Sequence, residues 1–357
     1  MQLKFDRNKR YAIALAGGGA KGAYEIGAWK ALDEAGIQYD AVSGTSVGAL
    51  NGAMMAMRDL PAAIRAWNDI RLSDVVAVDK EAETEMLRLI GGNIEFSDID
   101  ELIPHAIDVL RNRGLDIAPL RAWISELADV DRIKHSGVEF YVSTVCLSDR
   151  RGIEVHINSL PDDQVHDMLL ASAYHPSFRL EKLGDKYYAD GSFFDTLPIH
   201  SLVEAGYRDI IAVRLPGIGI ERHFKVPEGV NISYVETHFD LGAALYFDSE
   251  QSKRNMEIGY YDAKRLLYGL YGRHYYIERS LSEREALDVI LDSLEDENIP
   301  LRRQLEKELP RRAKELDGED WDYYELMTAL LEKKAEEKGI ENMRIITDTE
   351  LIDEVRK

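Results

Sequence analysis

Residues 11–34 read YAIALAGGGAKGAYEIGAWKALDE, and this stretch decides the fold. Tyr11 to Ala16 form a short apolar run ended by glycines, the form of a buried parallel strand. From Lys21 onward Tyr24, Ile26, Trp29, Ala31 and Leu32 fall at mixed helical spacing, and Gly36 stops the helix. The same grammar then repeats. YDAVSG (Tyr39–Gly44) is a second strand. SVGALNGAMMAMRD (Ser46–Asp59) is near-continuously apolar, hence a buried second helix, and Pro61 closes it or opens the next. Strand, glycine turn and helix, twice within about fifty residues, predict an α/β fold with an open, mainly parallel sheet.

Downstream, Ser73 to His135 reads as polar and helical, punctuated by Pro104 and Pro119. Strands return at Val138–Leu147, Gly152–Ile157 and Asp209–Leu215, and Pro216-Gly217 looks like the end of the sheet. Beyond about Glu250 the chain is charge-rich and helical. Ser282-Glu283-Arg284-Glu285 is a capping box, and WDYYELMTALLEKKAEEKG is amphipathic with Gly339 as its stop. That last apolar face is expected to pack on the sheet domain or on a second copy of the chain.

The 357 residues are 45% hydrophobic, ample for a core. With 44 basic against 65 acidic side chains the net charge is −21, which disfavours nucleic acid and strong attachment to anionic headgroups. Cys146 is the only cysteine, so no internal disulfide forms, which suits a reducing compartment. The basic start, Lys4 to Arg10, imitates a leader peptide, but the apolar run after it is shorter than the roughly 7–15 residues such a segment needs. No stretch approaches the roughly 20 apolar residues of a membrane span. A cytoplasmic protein is expected.

Gly17-x-Gly19-x-x-Gly22 spells a dinucleotide loop, which also requires an acid at the end of the second strand. Asp40 has the right distance in sequence but stands at the start of that strand. Its end is GTSVG, Gly44 to Gly48, which has the form of a nucleophile elbow. Glycines flank Ser46 so that a tight strand-to-helix turn can present its hydroxyl, and the N–H of Val47 lies where an oxyanion develops. Three consecutive glycines, Gly17, Gly18 and Gly19, allow close backbone approach to the same oxygen. A P-loop is excluded, because the G-x-x-x-x-G-K-[ST] spelling is missing.

A serine needs a base. His175, His200 and His274 come late enough in the chain for a triad, yet no context singles one out. In KYYADGSFFDTLPI, Asp190-Gly191 ends a short strand in a tight turn; this is either a simple turn or a carboxylate within reach of the serine.

GGGAKG, GTSVG, ASAYHP and ADGSFFDTLP, in this order, resemble the four blocks of the patatin-like phospholipase family. The resemblance covers residues 10–215 and implies a three-layer α/β catalytic domain, with 216–357 a mainly helical accessory, lid or oligomerisation region. It also implies a serine–aspartate pair without histidine. Ser46 is then the nucleophile, Asp190 the base, and Gly17, Gly18 and Gly19 the oxyanion hole. Lys21, Gly22, Gly44, Val47, Gly48 and Gly191 are supporting motif positions. Departures from the family pattern fall at Tyr174, Ser192 and Thr196. The substrate implied is a lipid or other ester, with no cofactor and no metal; transient membrane contact and self-association stay open. Two readings compete: a histidine-dependent esterase, and a nucleotide-binding module built on the glycine loop.

Overall fold

The computed structural model describes residues 1–77, 114–217, 219–295, 300–303, 306–307, 309–314, 316 and 321–357. The segment 78–113, which holds Pro104 and most of the stretch read as polar helix, lies outside the described residues. Two compact units emerge: Phe5–Ala263, and Met1–Lys4 together with Lys264–Lys357.

The larger unit begins β1 (Arg10–Leu15), α1 (Ala23–Glu34), β2 (Gln38–Thr45), α2 (Val47–Ala56), α3 (Leu60–Asp69), α4 (Ala118–Leu127) and α5 (Val130–His135). It continues through β3 (Glu139–Cys146), β4 (Arg151–His156), α6 (Asp162–Ser172), β5 (Tyr188–Ala189), α7 (Ile199–Glu204), β6 (Asp209–Val213) and β7 (Asn231–Val235). Helix α8 (Ser249–Tyr268) follows and contains the boundary between the units.

The fold is α/β. Its sheet has the order β4-β3-β2-β1-β6-β7, with β5 also pairing on β3. β1, β2, β3, β6 and β7 are mutually parallel, whereas β4 and β5 run antiparallel to β3. β1 lies inside the sheet and is buried along almost its whole length, which is why it reads as an unbroken apolar run. The sheet does not stop at Pro216-Gly217. β7 pairs in register with β6 from Asp209–Asn231 to Val213–Val235, so the boundary of the compact unit lies well beyond residue 215.

Parallel strands deliver their C-terminal ends to one edge, and the turns after β1 and β2 therefore meet there. Asp40 is at the opposite edge, where Arg10 lies 3.6 Å away. No acid from β2 is available for a ribose.

The chain expected to be helical beyond about Glu250 opens that helix at Ser249, and α8 packs against α1 at backbone contact. A Cβ on Gly27 would stand 1.8 Å from the Met256 carbonyl oxygen, and one on Gly259 1.9 Å from that of Tyr24. The Tyr24 hydroxyl seals the contact by donating to Asp262 at 2.9 Å.

The smaller unit holds β8 (Tyr276–Glu278), α9 (Glu283–Glu295), α10 (Tyr323–Glu337), β9 (Ile345–Thr347) and α11 (Asp348–Arg356), with β8 and β9 parallel. The capping box forms: Ser282 N–H donates to Glu285 Oε2 at 2.8 Å and Glu285 N–H to Ser282 Oγ at 3.3 Å. The apolar face of α10 was expected to seek the sheet domain or a second copy. Instead Tyr324, Met327 and Leu331 join Tyr275, Ile290 and Leu351 in a core of this unit's own. Here one buried carboxylate oxygen, Glu332 Oε1, accepts the N–H groups of Arg273, His274 and Tyr275 at 2.8, 2.9 and 2.8 Å. Glu332→Leu strands all three donors and is expected to destabilise this unit by on the order of 3 kcal/mol or more, read as a lowered thermal or urea midpoint. Glu332→Gln, which keeps the acceptor, is expected to lose much less.

Candidate active site

Ser46 is the single residue between β2 and α2, at φ 55° and ψ −122°. Side chains rarely adopt this backbone, and the surroundings must hold it in place. The two flanking glycines allow that. A Cβ on Gly44 would lie 2.2 Å from the Gly48 carbonyl oxygen, and one on Gly48 only 2.6 Å from that of Leu15. The Ser46 N–H donates to Ser172 Oγ at 2.9 Å, and Ser172 Oγ–H donates in turn to the Ser143 carbonyl at 2.6 Å. Ser172, at the end of α6, was not singled out from sequence; its signal was a serine in the ASAYHP block.

Asp190 follows β5 and caps a short 3₁₀ turn, Gly191–Phe193. Its N–H is tied to the Tyr174 carbonyl at 2.9 Å, and its Oδ1 accepts the Ser192 N–H at 2.8 Å. Oδ2 accepts the hydroxyl of Ser46 at 2.7 Å. Burial pushes the Asp190 carboxyl up; the hydrogen bonds from Ser192 and Ser46, and the nearby His175, oppose this without cancelling it.

The glycine loop lies directly against the elbow. A Cβ on Gly17 would come 3.3 Å from Cβ of Ser46, and one on Gly22 2.4 Å from Cγ2 of Val47. The N–H of Gly17 is already spent on the Thr196 carbonyl at 2.9 Å. The N–H groups of Gly18 and Gly19, and that of Val47 at the first turn of α2, have no partner among the described residues. Lys21 is half-buried, its Nζ donating to the Pro216 carbonyl at 2.7 Å.

These groups open into a cavity of about 370 Å³. Gly18, Gly19, Lys21, Ser46, Val47 and Asp190 line it, while Gly17, Gly22, Gly44, Gly48 and Gly191 stand behind the lining. The remaining walls are mostly apolar and include Leu50, Leu120, Trp123, Phe178, Leu245 and Phe247. Leu245 and Phe247 come from the non-helical stretch before α8. Such walls suit a hydrocarbon chain and offer little to a nucleotide.

The departures from the family pattern find local partners. Tyr174 is 2% exposed and turned into the core, where its hydroxyl donates to the Arg179 carbonyl and accepts the Glu181 N–H at 2.8 Å. Thr196 Oγ1–H reaches the Ile220 carbonyl at 3.1 Å.

Of the three histidines weighed from sequence, His175 does line the cavity. His200 lies near Glu154 and Glu204, and His274 is paired with Glu336; neither lines the cavity. His175 Nδ1 accepts the Ser177 N–H at 3.2 Å and lies 2.8 Å from Ser177 Oγ. The neutral ring therefore carries its proton on Nε2. A triad histidine needs the opposite arrangement, with Nδ1–H on a carboxylate and a free Nε2 lone pair for the serine proton.

Among the described residues no helix is long and apolar enough to cross a membrane. The sequence profile of the patatin-like phospholipase family matches residues 13–203. Over 44 residues the chain is 54% identical to Lysophospholipase nte1 of Aspergillus terreus, a match spanning 12% of this chain and 3% of that protein. It is 53% identical over 45 residues to patatin-like phospholipase domain-containing protein 6 of Homo sapiens, covering 13% and 3% respectively. The match thus spans only a few per cent of the length of these curated relatives. Among solved structures, VipD from Legionella pneumophila superposes with a TM-score of 0.41 at 14% identity, covering 93% of this chain and 85% of that one. ExoU of Pseudomonas aeruginosa, in complex with SpcU, gives a TM-score of 0.33 at 17% identity, covering 92% and 68%. With the family profile spanning more than half of its length, from β1 into α7, the chain belongs to the patatin-like phospholipase family.

Proposed function

We propose that the protein is a serine lipid acyl hydrolase, cleaving the carboxylic ester of a phospholipid, lysophospholipid or related lipid with Ser46 as nucleophile and Asp190 as base. One observation carries this reading: the 2.7 Å hydrogen bond from Ser46 Oγ to Asp190 Oδ2 at the polar end of an apolar cavity. The names of the relatives, lysophospholipase and patatin-like phospholipase, support the same substrate class.

Asp190 takes the hydroxyl proton as Oγ bonds to the ester carbon. The carbonyl oxygen becomes an oxyanion and collects the N–H groups of Gly18 and Gly19, with Val47 at the positive end of α2 beside them. Gly17 serves by its smallness, its own N–H being committed to Thr196. The carbon–oxygen bond of the alcohol breaks, the alcohol leaves with the proton from Asp190, and the acyl group stays on Ser46. Water then adds to the acyl-enzyme by the same route and releases the fatty acid. An ordinary aspartate is a weak base for a hydroxyl; the raised proton affinity of buried Asp190 narrows that gap.

The test uses a fluorophosphonate probe and a lysophospholipid with the purified chain. Labelling at Ser46 and fatty-acid release are both expected, with both lost in Ser46→Ala. His175→Ala is expected to keep turnover within roughly tenfold of wild type, because its ring holds the wrong tautomer for a base. A loss at His175 as deep as at Ser46 would sink the aspartate reading, and release of fatty acid by folded Ser46→Ala would sink the nucleophile.

A further inference from the structure

We infer that Asn51 is a positioning residue that pins the glycine loop to the nucleophile helix and so fixes the separation of the two sources of oxyanion donors. The inference rests on the reading of Ser46 given above. If the donors come from Gly18 and Gly19 on one side and Val47 on the other, two separate pieces of chain must hold one spacing. Donor geometry of this kind matters at the scale of tenths of an ångström.

Asn51 lies on α2 one turn beyond Val47 and is fully buried. Its amide makes three hydrogen bonds, two to the junction of the glycine loop with α1 and one to α3. Nδ2 donates to the Gly22 carbonyl at 2.9 Å, where the glycine loop ends, and to Glu25 Oε2 at 2.7 Å in the first turn of α1. Oδ1 accepts the indole N–H of Trp67, from α3, at 2.8 Å. The indole is only a donor, so it orients the amide with the NH₂ group towards the loop. Every donor of that amide is used, and the bond to Gly22 spans the seam between loop and helix.

Glu25 is the other unusual member. It is 1% exposed, and its Oε1 makes no hydrogen bond among the described residues; burial pushes its carboxyl well above the usual range, against the opposing pull of the Asn51 amide and the Ala16 backbone. Its job is to accept from Asn51, which needs an oxygen and no charge. A glutamine does the same.

The experiment compares Asn51→Ala and Glu25→Gln with wild type on a soluble short-chain ester, alongside amide hydrogen exchange over residues 17–23. Asn51→Ala is expected to lower kcat by roughly 10- to 100-fold with KM changed less than about threefold, and to speed exchange in the loop. Glu25→Gln is expected to stay within roughly threefold of wild type in kcat. A folded Asn51→Ala protein with wild-type kcat and unchanged loop exchange overturns the inference, as does a loss of activity that only tracks the unfolded fraction. Should Asn51→Ala not fold, Trp67→Phe removes the orienting donor together with part of a buried ring; loss of roughly three- to tenfold in kcat with faster exchange in the loop is expected, and wild-type kcat or unchanged loop exchange overturns the inference. Absence of ester turnover in wild type would strike the acyl-hydrolase reading instead, and the exchange measurement still reports on the pin.

Discussion

Asp190→Asn is expected to lower kcat/KM on a soluble ester by roughly 10³-fold or more while raising the melting temperature at neutral pH. The amide keeps the local bonds, since its oxygen can accept the Ser192 N–H and its NH₂ can donate to Ser46 Oγ. What it lacks is the capacity to take a proton. The gain in stability follows from linkage. Folding raises the proton affinity of Asp190 through burial, so the native state binds this proton more tightly than the unfolded chain. Its contribution to stability is therefore present below the unfolded pKa of roughly 4 and is lost as pH rises through the higher folded value. Asparagine carries no such cost. The difference in melting temperature should accordingly be small near pH 4 and grow with pH. Wild-type kcat/KM should climb over the same range as the base ionises. A mutant that melts below wild type at pH 7, or an activity limb that falls over this range, contradicts the assignment.

Gly48→Ala is expected to cost roughly 3 kcal/mol or more, and to lower the melting temperature by roughly 10 °C or abolish soluble expression. The added methyl would lie 2.6 and 2.7 Å from the carbonyl oxygens of Leu15 and Ala16, which belong to backbone and cannot rotate away. The first turn of α2 would have to lift off the end of β1, taking Ser46 and Val47 with it. Soluble yield and a thermal melt read the outcome. A mutant as stable as wild type would mean that the close approach of α2 to β1 is not a requirement of the fold.

Much of this was legible in sequence because it rests on local backbone demands. Gly44 and Gly48 mark the elbow by their spacing around Ser46, the first through its contact with Gly48 itself, and β1, β2, β3 and β6 announce themselves as apolar runs. β7 was missed because NISYV alternates and is only partly buried, with a single fully buried residue, Val235. That α1 is what α8 packs on was not legible for another reason: this surface lies more than two hundred residues away, and the sequence pattern shows an apolar face without naming what covers it. Asn51 and Ser172 are silent in the same way. Each acts through a hydrogen bond to a distant segment, and a buried asparagine or serine looks no different in sequence from an exposed one. The loss of Gly17 as a donor belongs to this group too, since its N–H is claimed by the carbonyl of Thr196, which is far away in sequence.

The paired glycines between α1 and α8 bear on how this chain could be recombined with its relatives. Each glycine is the slot for the other helix's backbone, so Gly27 and Gly259 form one fitting split between two distant places in the chain. A chimaera joined anywhere between them inherits one half of the fitting from each parent. It should fold only when the parent supplying position 27 and the parent supplying position 259 each carry a small residue there. A crossover placed after α8 keeps the fitting whole, and a fragment cut at residue 215 discards half of it while leaving the other half, at the root of the glycine loop, open to water.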